Sequence, residues 1–226
     1  MLLNRDWTPL ELSLWISGWA GLLALVAGTG LAWIFARLNF RGKWLLEGVT
    51  MLPLVLPPTV LGYYLLVALG RRGIGPTFEQ AFGFSLVFSW PGAVVAAVIA
   101  ALPLVIQAVK PGILDLSRET EDAARVDGCS ELQVFRFVTL PLIRASLLSG
   151  GILAFLRAMG EFGATLMVAG NIPGRTQTLS MAVYDAVQAS NLDLANRLVL
   201  LLSVITFALL FIALRIGNQV RHGAEA

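Results

Sequence analysis

The chain has 226 residues, 57% hydrophobic and 13% charged, with a net charge of +2 and a mean hydropathy of +0.79. That is more apolar than a water-soluble domain of this length sustains, so the chain reads as a membrane protein. One cysteine, Cys129, and one histidine, His222, exclude an intrachain disulfide and a Cys/His metal site, and sixteen dispersed basic residues do not make a nucleic-acid footprint.

The opening "MLLNRDWTPLELS" lacks the positive n-region of a signal peptide. The charge-free run Leu12–Ala36 that follows is too long for a signal core and is read as a retained first span. The second span, Gly48–Gly70, contains Pro53, Pro57 and Pro58. At ~1.5 Å per residue these prolines fall between the cytoplasmic edge and the middle of the bilayer. Two readings stand for them: a broken helix lining a pathway, or a kink packed against neighbouring spans.

A third span lies in the inner part of residues 80–109 and another at Leu198–Leu214. A further one begins around Pro141 and continues past Arg157 and Glu161. Five spans result, with Ala164–Ala189 as a partial or re-entrant sixth, and without repeats or linkers the chain, 1–226, is one domain. Arg157 and Glu161 also carry two readings. They mark an ion pathway near the outer mouth, or they form an i, i+4 pair that transports nothing. Gly160 and Gly163 beside them suit close helix packing or backbone movement at a gate. In the loop that follows, Arg175, Thr176, Thr178 and Ser180 are donors for an anion or a partner, or simply a solvated turn.

Basic residues orient the chain. Ten of them (Arg37, Arg41, Lys43, Lys110, Arg118, Arg125, Arg136, Arg144, Arg215, Arg221) fall in one set of loops, and five (Arg5, Arg71, Arg72, Arg175, Arg197) in the other. The first set is expected in the cytoplasm, which puts the N-terminus outside and the C-terminus inside.

The segment of about 111–141 is polar and closely punctuated. Ser117 is an N-cap with Glu119, Glu121 and Asp122 in the first turns, Gly128 is a helix stop, and Ser130 with Gln133 makes a capping box. Leu132, Phe135 and Val138 form an apolar stripe, and Pro141 opens the next span. The short helix at Ala123 and Ala124 has a shallow face, as a docking knob would; an interfacial amphipathic helix is the alternative.

The spacing Asp122-Ala123-Ala124, Gly128, Val138-Thr139-Leu140-Pro141 resembles the EAA loop of binding-protein-dependent ABC importer permeases, with Asp122 where glutamate is usual, Glu121 just before it, and Val138 for isoleucine. "LPLVLPPTVLGYYLLVALGRRG", "RAMGEFGAT" and "NIPGRTQTLSMAVYDAVQ" are similar to segments of molybdate ABC transporter permeases, and the second is also similar to sulfate permeases. The resemblance implies an all-helical type I importer permease in the bacterial inner membrane, carrying molybdate, with tungstate and sulfate as alternatives. It implies a coupling helix at Glu121, Asp122, Ala123, Ala124, Gly128, Leu140 and Pro141 that docks on an ATPase. It also places the Asn171–Gln188 stretch near the outer gate.

The chain has no G-x-x-x-x-G-K-[ST] phosphate loop, so ATP and Mg are expected on two separate ATPase chains. A second permease copy and an extracytoplasmic molybdate-binding protein complete the expected partners. The spans gather no His, Cys or Asp pair to activate Ser85 or Ser89, which argues against an intramembrane enzyme and leaves no catalytic or metal residues to name.

Overall fold

The computed structural model describes residues 8–222, so Arg5 lies outside the described residues. Helix α1 (Pro9–Arg37) starts on a reciprocal cap: Thr8 Oγ1 accepts from Glu11 N, and Glu11 Oε2 accepts from Thr8 N. It packs along α5 (Trp90–Leu114) and α9 (Arg144–Met159). The contacting faces are lined with small residues. Ala20, Ala24, Gly28 and Ala32 repeat every fourth position on α1 and face Ala93, Ala97, Ala101 and Val105 of α5, while Gly150, Ala154 and Ala158 close the bundle from α9. Lipid tails are as apolar as leucine, so helices in a bilayer associate through close contact rather than through expulsion of water, and small residues permit it.

The spans differ in detail from their sequence-based bounds. Among the described residues, three helices are long and apolar enough to cross a membrane (Pro9–Arg37, Trp90–Leu114 and Leu192–Ile212), and the number rises to five when each of two bent pairs counts as one span. The second expected span is a bent pair: α2 (Lys43–Val55) and α3 (Pro58–Leu69) meet at 118°. Pro57 has no N–H to continue α2, and Leu56 and Pro57 are extended before Pro58 opens α3. Pro53 sits inside α2 without breaking it.

The span expected to start at Pro141 runs straight only from Arg144, after a 79° bend. The partial sixth, Ala164–Ala189, is two short helices, α10 (Gly163–Ala169) and α11 (Leu179–Gln188), separated by an irregular loop. Helix α11 is tied to α1 where Leu179 N donates to Ser13 Oγ at 2.8 Å. The last helix, α12 (Leu192–His222), packs on α9 and α11 and leaves most of its length exposed. A short helix, α4 (Gly75–Phe82), fills the loop that held only Arg71 and Arg72 as features in the sequence.

A Cβ on Gly28 would lie 2.7 Å from Val105 Cβ. Gly28→Ala is therefore expected to cost about 1–3 kcal/mol through overpacking. Gly30→Ala, with nothing within 4 Å of the added carbon, should be neutral. Thermal unfolding in detergent distinguishes the two.

Candidate coupling loop and broken spans

Between α5 and α9 the chain forms α6 (Arg118–Val126), α7 (Glu131–Val134), a π turn (Phe135–Thr139) and the single turn α8 (Leu140–Leu142). The local punctuation follows the sequence. Ser117 Oγ accepts from Glu119 N at 3.2 Å, and Ser130 and Gln133 cap each other's backbone. Gly128 has φ +91°, with its N–H on Arg125 O and the Cys129 N–H on Ala124 O, which together close the end of α6. Arg125 clasps the two helices: its Nε and Nη2 bond Glu131 at 2.7 and 3.0 Å, and its Nη1 bonds Asp122 at 2.5 Å. The clasp raises the Arg125 pKa and holds the Glu131 carboxyl below the ordinary carboxylate range. It therefore stands at neutral pH and weakens when acid protonates Glu131.

The apolar stripe falls elsewhere than the i, i+3, i+6 pattern suggests. Leu132 is exposed, Phe135 and Val138 are half-buried, and the buried positions are Val134 and Thr139. The π turn causes the difference by adding a residue between them. What the loop shows to its surroundings is Val126 (86% exposed), Leu132 (73%) and Phe137 (67%), beside exposed Ala123 and Asp122. Ala124 and Leu140 are half-buried and Pro141 is exposed. Glu121, by contrast, is turned inward at 2% exposure. Its Oε2 lies 3.0 Å from Arg37 Nε, and its Oε1 accepts from Thr139 Oγ1 at 2.8 Å. Sequence reasoning missed Arg37 and Thr139; the only signal was a lone arginine ending an apolar run.

The break between α2 and α3 meets the interruption between α9 and α10. A Cβ on Gly163 would lie 2.8 Å from Pro58 Cβ, and one on Gly62 would lie 2.7 Å from Met167 Cβ and 2.8 Å from Ala164 Cα. Helices α3 and α10 thus run side by side from adjacent starts, with Pro57–Pro58 and Gly163 at the common break. Gly160 is different, since its added Cβ would find only carbonyl oxygens at 3.7 Å and beyond.

Arg157 Nη1 bonds Glu161 Oε2 at 2.6 Å, and Glu161 Oε1 accepts from Ala164 N at 2.8 Å. With its side chain 1% exposed, Glu161 is committed to capping α10 and balancing Arg157, which favours the structural reading of the pair. Counted from Arg144, where α9 becomes straight, Arg157 lies ~20 Å along the helix, short of the ~24 Å that a start at Pro141 implies. In the loop before α11, Thr176 is buried and bonded to Gly170 O and Ile172 N, while Thr178 caps α11. Ser180 is half-buried in α11, and Arg175 is exposed.

The profile of the binding-protein-dependent transport system inner membrane components matches residues 24–222. The chain belongs to that family. A relative within it, the putative molybdenum transport system permease protein YvgM of Bacillus subtilis, is 45% identical over 92% of both chains. The molybdenum transport system permease protein ModB of Escherichia coli K12 is 43% identical over 83% of this chain and 82% of its own. The sulfate transport system permease protein CysW of Synechococcus elongatus is 36% identical over 86% of this chain and 69% of its own.

Among solved structures, a bacterial ABC transporter importing alginate superposes with TM-score 0.74 at 14% identity, covering 94% of this chain and 78% of that one. The MetNI methionine ABC transporter does so with TM-score 0.69 at 18% identity, covering 97% and 95%. The fold is that of a type I ABC importer permease, and this family member is a multi-pass transport subunit of the inner membrane.

Gly163→Ala should destabilise the family member by about 1–3 kcal/mol as its Cβ is forced onto Pro58. Gly160→Ala should leave the melting temperature unchanged. Equal shifts in thermal unfolding would refute the meeting of the two breaks.

Proposed function

We propose that this chain is the permease subunit of a molybdate importer. The observation that carries the reading is 43–45% identity to the molybdenum permeases of Bacillus subtilis, Escherichia coli and Haemophilus influenzae over 80–92% of the chain, with that of Azotobacter vinelandii at 36%, against 33–37% to sulfate permeases. Tungstate, tetrahedral and doubly charged like molybdate, shares the route; the binding protein selects between oxyanions, because the described residues show no dense set of donors.

The permease acts as a homodimer, with two ATPase chains on the cytoplasmic side that hold ATP and Mg, and an extracytoplasmic binding protein that delivers the anion. The surplus of basic residues in the loops around α6 supports placing that end in the cytoplasm, with the N-terminus outside. The exposed Val126, Leu132 and Phe137 next to small Ala123 give α6 and its neighbours an apolar knob that suits an ATPase groove. Asp122, exposed and held by Arg125, orients it. When the ATPases close on ATP, the knobs are carried together and the breaks at Pro57–Pro58 and Gly160–Gly163 absorb the change between outward- and inward-facing states.

Uptake of labelled molybdate into vesicles holding this chain, its ATPase and its binding protein should require ATP and resist excess sulfate. Uptake abolished by sulfate moves the assignment to sulfate. Gly128→Val places a branched residue in the left-handed region, at a cost of roughly 1–2 kcal/mol, and unseats the end of α6. It should abolish ATPase co-purification or uptake while the spans still insert. Normal association together with normal uptake contradicts the docking assignment.

A further inference from the structure

Two neighbouring carboxylates on α6 point in opposite senses. Asp122, at the first position of the motif, has 64% of its side chain exposed, and Glu121 has 3%. Adjacent positions on a helix are ~100° apart, so one residue can face a partner while the other faces the chain's own spans. Glu121 faces Arg37, the last residue of α1, and Thr139, the last residue of the π turn that leads to α9. The contact with Glu121 is an ion pair, and Arg37 Nη2 donates a hydrogen bond to Leu116 O at 3.3 Å, just before the α6 cap. Above this cluster the Trp33 and Phe135 rings meet edge to face at 6.0 Å, a second link between α1 and the π turn.

We infer that Arg37, Glu121 and Thr139 form a strut that makes α6, the end of α1 and the lead-in to α9 move as one body. Its charges are withdrawn from water. Separating them would leave a buried carboxylate or guanidinium uncompensated, whereas the exposed Arg125 clasp can exchange its partners for solvent. A displacement of α6 is therefore handed to α1 and α9 together, instead of being absorbed by rotation of the loop. Glu121 is a positioning residue, and its carboxylate acts through the spans. This role rests on the importer reading above in assigning the displacement to ATPase closure.

The test uses the assembled transporter with Cys129→Ser and spin labels at Asn39→Cys and Thr120→Cys, both exposed positions flanking the strut. Labelled chains are diluted into unlabelled ones so that a dimer carries one labelled protomer, and the distance within it is measured at rest and after trapping with Mg-ATP and vanadate. The expected result is a single narrow distance, unchanged on trapping, that broadens in Glu121→Gln. Uptake per ATP hydrolysed should fall about tenfold or more in Glu121→Gln. Part of it should return in Glu121→Gln with Arg37→Gln, which leaves no unpaired charge. A distance that changes on trapping with the strut intact overturns the inference, as does wild-type uptake per ATP in Glu121→Gln.

If Glu121→Gln does not accumulate, Thr139→Val removes only the hydroxyl. A broader distance with lower uptake per ATP then supports the strut, and no change in either overturns it. A wild-type complex that traps and holds its distance yet takes up no molybdate refutes the substrate reading alone.

Discussion

The structure depends on backbone-to-backbone approach among α1, α5 and α9. A leucine core would hold these helices apart at the width of their side chains. Alanines and glycines at four-residue spacing on α1, met by the alanines of α5, bring the axes close enough for dispersion and short polar contacts to hold them together in a solvent that offers no hydrophobic drive. The price is intolerance, because a methyl group at Gly28 has nowhere to go. The gain is a frame rigid enough to carry irregular pieces.

Those pieces are placed with the same economy. Backbone groups freed at Pro57–Pro58 and between α9 and α10 would be costly in hydrocarbon, so the two interruptions are set against each other, with glycine at the contact. Glu161 supplies one acceptor at the start of α10 and is itself neutralised by Arg157. Helix α2 stands outside this frame. None of its residues is buried, and Lys110–Glu47 at 2.8 Å and Gln107–Met51 at 3.4 Å tie it to α5. The fold thus divides into a closely packed bundle and a half-span tethered beside it by polar contacts.

What could be read from the sequence was local. Ser117, Gly128 and the Ser130–Gln133 box were legible because capping is settled within three or four residues, and those residues name the chemistry. Long apolar runs located α1, α5 and α12 for the same reason, although their ends shifted. The bends were not legible: three prolines signalled a break in the second span, but only packing decides that Pro53 is absorbed and Pro57–Pro58 is not. The inward turn of Glu121 was hidden too, since one partner lies 18 residues along the chain and the other on a different span. Thr176 and Thr178 carried two readings in the sequence, donors or a solvated turn; the Thr176 hydroxyl donates to Gly170 O of its own loop, and Thr178 Oγ1 accepts from Met181 N at the start of α11.

The π turn at Phe135–Thr139 acts as a phase adjustment. In a regular helix, residues five apart point ~140° away from each other, so Val134 and Thr139 could not both face the interior. The wider turn, closed by Leu140 N on Phe135 O, narrows that angle and lets both be buried, with Thr139 reaching Glu121. One residue fewer would swing Thr139 by about 100° and take the hydroxyl off its carboxylate. The length of this stretch is therefore as much a determinant as its composition, and a loop of identical chemistry but one residue shorter would be out of phase with the span it leads into.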